Sequence, residues 1–245
     1  DRAGAGGAVR PGGLSAAVGW AVFALLAAAL AVLAWPQLRG AVPTAAAAAG
    51  TRAATSRRTI ATFTLAYGLA GFGYIVTATF LPVIARQALA PGSVWLDLFW
   101  PIFGVGVAVG ALLTVRLPMR LDRRHLLVAC YAMQAIGILL GVWLPTLAGF
   151  ALGSLLLGLP FTAITLFAMQ EARRLQPHGA SALIGGLTAA YGLGQIAGPP
   201  MVAWLLQHSA SPAAGFTLAL QIAAAALLAG AAILGTLARA RPLAR

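Results

Sequence analysis

Seven apolar blocks, at about 14–35, 60–82, 95–115, 126–144, 147–169, 182–206 and 214–238, run through the 245 residues of this chain. A helix of about 20 apolar residues crosses a hydrocarbon core ~30 Å thick, so the blocks predict an all-α polytopic membrane protein with about seven transmembrane helices. Charge agrees. Only 8% of the residues are charged, against roughly a quarter in a soluble domain, and no soluble surface can be built from that. The first block exceeds the ~7–15 residues of a signal-peptide core and reads as a true span.

The net charge of +12 invites a nucleic-acid partner, but the placement of the arginines rejects one. All 16 basic residues are arginine, and they cluster in the connectors. Thirteen fall on alternate connectors, in 36–59, 116–124, 173–174 and 239–245, leaving only Arg2, Arg10 and Arg86 for the other side. Arginine excess marks the cytoplasmic face. The N-terminal end is therefore expected outside and the C-terminus inside. The Lys-free, Ala- and Gly-rich composition points to a bacterium, hence to its inner (plasma) membrane. Residues 1–13 read as an outer loop, 36–59 as a cytoplasmic linker, 60–238 as a six-helix bundle and 239–245 as a cytoplasmic tail. Trp35, Trp95, Trp100, Trp143 and Trp204 sit at or near span ends, where an amphipathic ring suits the interface.

Lipid gives helices no hydrophobic reason to associate, so small residues must let backbones approach. The third and sixth blocks share a G-x-G-x-x-x-G pattern, Gly104/Gly106/Gly110 and Gly192/Gly194/Gly198. These are the middle helices of two consecutive three-helix groups and run in opposite directions, as an inverted repeat requires. Pro199 and Pro200 predict a kink in the sixth block.

Uncharged polar stripes mark three blocks. Tyr67 and Tyr74 share a helix face with Gly71, Thr162 and Thr165 share another, and Thr188, Tyr191 and Gln195 form a third. Such stripes either line a cavity for a solute of modest polarity or make interhelical hydrogen bonds. Glu171, beside Arg173 and Arg174, is expected on the same side as Arg116, Arg120 and Arg123. It reads as one half of an ion-pair latch, or else as a solvated loop acid. Asp97, near the outer end of its span, is a coupling acid for protons or an interfacial cap. The histidines, 125, 178 and 208, and the lone Cys130 show no metal-ligand spacing. No catalytic motif or phosphate loop appears, so neither a cofactor nor an enzymatic activity is expected.

The segments 66–74 (AYGLAGFGY), 159–174 (LPFTAITLFAMQEARR) and 190–200 (AYGLGQIAGPP) resemble the major facilitator superfamily, in its YbfB/YjiJ-like branch, over about residues 14–240. The resemblance implies a C-terminal six-helix half of that fold plus one preceding helix, with 14–35 the last helix of an N-terminal half whose other five helices are missing. Gly110–Leu127 is similar to the superfamily's basic loop signature, with Asp122 where a glycine usually precedes the arginine pair. The resemblance also turns the three polar stripes toward the central cavity and gives Glu171 a gating latch. The implied function is part of a secondary active transporter that moves a small solute by rocker-switch alternating access, with proton coupling permitted. Its partners are the bilayer, an unidentified solute and the missing half. A non-transporting half-carrier and, less well supported, an intramembrane enzyme stay open as alternatives.

Overall fold

A computed structural model describes residues 16–38, 55–89, 93–117 and 121–240. The chain divides into two compact units, 1–49 and 50–245. The described part of the first is one apolar helix, α1 (Ala16–Leu38). The expected outer loop and most of the expected linker lie outside the described residues.

The second unit holds α2 (Arg57–Ala88), a 3-10 turn (Val94–Asp97), α3 (Phe99–Val115), α4 (Arg123–Trp143), α5 (Leu147–Gly158), α6 (Phe161–Leu175), α7 (Ala180–His208) and α8 (Pro212–Ala240). Local chemistry sets the starts. Ser56 Oγ accepts from Thr59 N (3.2 Å) at α2, Asp122 from Arg124 N (3.0 Å) at α4 and Thr146 from Gly149 N (3.3 Å) at α5. Each side chain satisfies one of the donors that a helix start leaves unpaired.

Four segments are long and apolar enough to cross a membrane: Arg57–Gln87, Arg123–Trp143, Leu147–Leu175 and Pro212–Ala240. Phe99–Val115 and Val18–Leu33 are shorter apolar helices. α7 has length to spare at 29 residues, but Gly, Thr, Tyr, Gln and Pro dilute its apolar character. The expected span at 147–169 falls in the apolar segment Leu147–Leu175, which is built from two helices, α5 and α6, with a break at Leu159–Pro160. Pro160 has no N–H to donate to the preceding turn, which ends the ladder. Buried Gln134 of α4 donates to the Leu157 carbonyl at 3.1 Å beside the break. The two pieces still form one rod, giving a multi-pass, all-helical architecture among the described residues.

The packing has a pseudo-twofold pattern. α2 packs on α7 as α5 packs on α3, α2 on α8 as α5 and α6 pack on α4, and α4 on α8 closes the pair. The two glycine triplets serve equivalent contacts. Gly106 faces the Leu155 carbonyl (2.9 Å from where a Cβ would stand) and Gly110 the Leu159 carbonyl. Gly194 faces the Gly68 carbonyl and Gly198 the Ile75 side chain. Gly104 and Gly192, the first of each triplet, face nothing within 4 Å. Tyr131 of α4 is fully buried and donates to the Ala66 carbonyl of α2 at 3.1 Å. The exterior keeps Leu112 71%, Val115 81%, Leu193 67% and Ile196 70% exposed, a surface for lipid rather than water.

Candidate functional site

Two groups of candidate side chains come together, a neutral one across α2, α6 and α7 and an ionic one at the arginine-rich end. In the first, Tyr67 and Tyr191 pack with ring centroids 5.1 Å apart and planes tilted by 39°, and Tyr67 Oη donates to Thr165 Oγ1 at 3.4 Å. Close backbone approach allows this. A Cβ on Gly71 would collide with the Tyr191 carbonyl, so α2 and α7 lie near enough for their tyrosines to meet. Farther along α2, Tyr74 packs on Phe161 (4.8 Å) and Phe103 (6.1 Å), and Trp100 meets Phe103 edge-on at 5.3 Å.

The polar stripes are thus only partly united. Tyr67, Thr165 and Tyr191 form one cluster, and Tyr74 belongs to an aromatic group whose members Phe103 and Phe161 carry no polar signal in the sequence. Thr162 Oγ1 is buried with no hydrogen-bond partner among the described residues. Thr188 is exposed and bonds back to its own helix at the Ile184 carbonyl (3.0 Å). Gln195 is half-buried one turn beyond Tyr191. Asp97 ends the 3-10 turn that leads into α3, outside the α-helix, and its side chain lies outside the described residues.

The ionic group centres on Glu171, 2% exposed. Arg174 grips it through two bonds of 2.7 and 2.8 Å, and Arg124 Nε stands 3.8 Å away. Arg124, 3% exposed, also forks onto Asp122 (2.8 and 3.1 Å) and donates to the Leu237 carbonyl of α8 at 2.9 Å. Of the expected latch arginines, Arg123 instead donates to Gln170 Oε1 at 2.6 Å. Arg116 is exposed with no ion pair among the described residues, and Arg120 lies outside them. Arg124 and Arg174 were legible as partners only through spacing: Arg174 follows Glu171 by one helical turn, and Arg124 sits two residues after a capping acid.

Partial burial raises the Asp122 carboxyl, but the side-chain and backbone bonds from Arg124 and the charges of Arg124 and His125 outweigh it, leaving its pKa below the ordinary 3.8. A depressed carboxyl stabilises fully above its unfolded value and loses that contribution as pH falls through the folded one. Asp122→Asn keeps a capping oxygen but removes the charge paired with Arg124, so it is expected to cost about 1 kcal/mol at pH 7. Unfolding in micelles near pH 3 should show the gap between the two proteins shrinking.

Residues 6–235 match the family described as the uncharacterised MFS-type transporter YbfB. The match runs through every helix just described. The chain belongs to this family. No individual curated protein matches it. Membership in the YbfB family makes the protein a multi-pass membrane transporter, and the broken α5–α6 rod with the paired glycine contacts is how this sequence builds that fold.

Proposed function

We propose that residues 60–238 form one half of a secondary active carrier, completed by a second, N-terminal helical half, that moves a small solute across a bacterial inner membrane by alternating access. The Tyr67–Thr165–Tyr191 cluster carries the reading. It joins α2 to the consecutive helices α6 and α7 with hydroxyls and ring faces rather than charge, which suits a neutral or modestly polar solute. Gln195 extends the cluster along α7. Thr162, with its buried hydroxyl unpartnered among the described residues, supplies a further polar contact, and Tyr74 and Thr188 bound the cavity.

On this reading the Glu171 network, with Arg123 and Arg116 at its rim, clasps the cytoplasmic end together with Arg120, which lies outside the described residues, and Asp97 is the acid for proton coupling. The orientation follows the arginine excess, with the N-terminal end outside. Transport without bond-making chemistry accounts for the site as it stands, and no cofactor enters.

Tyr191→Ala and Gln195→Ala in the complete carrier are expected to abolish solute uptake or efflux while leaving the amount in the membrane unchanged. Whole-cell flux, normalised to membrane content, reads the effect. Wild-type flux from both variants would remove the cluster from the path.

A further inference from the structure

A cleft of about 240 Å³ opens between α3 and α4 and is floored by the Leu159–Pro160 break. Its walls include Leu126, Met133, Ala163 and Phe167, and Leu113 and Ala129 on its rim are exposed. Toward the arginine-rich end it adjoins a second cleft of about 110 Å³. The two share Thr114, Leu117, Leu126 and Phe167, and the second adds Arg123 and Gln170. Together they make a slot, apolar along α3 and α4 and basic at its mouth.

The charge at the mouth is unbalanced. Asp122 is engaged by Arg124, and Glu171 by Arg174 and Arg124. Among the described residues no carboxylate lines either cleft. Arg123 uses Nε on Gln170, and its remaining guanidinium N–H groups bond nothing among the described residues. Arg116, at the end of α3, is exposed nearby. A guanidinium fork matches two oxygens of a phosphate, and the cleft, apolar and smaller than the ~300–1,000 Å³ of a drug-sized ligand pocket, suits the part of one hydrocarbon chain next to its headgroup.

We propose that this slot binds an anionic diacyl phospholipid, with one acyl chain between α3 and α4 and the phosphate on Arg123. The site is separate from the tyrosine cluster, and the assignment does not depend on which solute the carrier moves. Lipid seated there braces α3 against α4 where the α5–α6 rod is broken.

Native mass spectrometry of the full chain in micelles, with equal dioleoyl phosphatidylglycerol and dioleoyl phosphatidylcholine, tests it. Wild type is expected to retain the anionic lipid at least about fivefold over the zwitterionic one, the size of effect one arginine has at an anionic surface. Arg123→Gln should bring the ratio close to parity, Ala129→Trp should reduce retention of both lipids, and Arg239→Gln at the same end should change nothing. Parity in wild type overturns the site, and this arm stands even if a variant does not fold. An unchanged ratio in Arg123→Gln, an equal fall in Arg239→Gln, or displacement of the lipid by inorganic phosphate alone would each overturn it too.

Discussion

Replacing Gly110 with alanine is expected to destabilise the bundle by about 3 kcal/mol, at the upper end of the range for overpacking a filled interior. The same change at Gly104, six residues earlier on α3, should stabilise by roughly 0.5–1 kcal/mol through helix propensity. A Cβ at 110 runs into the Leu159 carbonyl, while at 104 it meets nothing within 4 Å. Backbone cannot swing aside as a flexible side chain can, so α3 must move away from the α5–α6 rod. That loosens the contacts that substitute for hydrophobic driving force in lipid. The pseudo-twofold packing makes a second demand. Gly194→Ala, against the Gly68 carbonyl, should be costly and Gly192→Ala harmless. Denaturant unfolding in micelles gives the four values. Equal effects within each pair would mean that the helices do not pack at these glycines.

Removing Glu171 should cost as much or more. Glu171→Ala leaves Arg124 buried with one of its two carboxylate neighbours gone and releases Arg174 altogether. Breaking a buried ion pair from one side typically costs about 3–5 kcal/mol, because a charge is left without compensation in a low dielectric. Arg174→Ala should cost less, about 2 kcal/mol: it strips buried Glu171 of two hydrogen bonds, but Arg124 stays within 3.8 Å and the side chain removed is itself 27% exposed. The order Glu171→Ala above Arg174→Ala, read from unfolding midpoints at neutral pH, is the discriminating result. A reversed order would show that the centre of the network is Arg174 rather than the buried carboxylate. The contact from Arg124 to the Leu237 carbonyl adds a structural consequence: loss of Glu171 should also loosen the end of α8, visible as faster amide exchange there.

Much of the fold was legible from one-dimensional signals. Apolar blocks of bilayer length predicted the helices, and the repeated glycine triplet predicted which helix surfaces would approach. The break at Leu159–Pro160 was missed because a single proline inside an apolar run leaves the hydropathy of the run unchanged. The tyrosine stripes on α2 and α7 were visible as faces, but nothing in their spacing showed that Tyr67 and Tyr191 would pack against each other while Thr188 turned back to its own helix. Phe103 and Phe161 carried no signal at all, since an aromatic residue in a span is as much at home in lipid as in a cavity wall.

The ion network shows where sequence stops. An acid among arginines at one end of a bundle follows from the chain alone, because charge is excluded from the hydrocarbon and must collect where the helices leave it. Which arginine meets the acid does not follow. Neighbouring residues on a helix point about 100° apart, so Arg123 and Arg124 face different partners, one Gln170 and the open cleft, the other Glu171, Asp122 and α8. Span length, helix starts and the charge of each end were determined by the order of residues along the chain. The rotation of each helix about its axis was decided only when glycine let the backbones close, and that rotation selects every pairing in the candidate site.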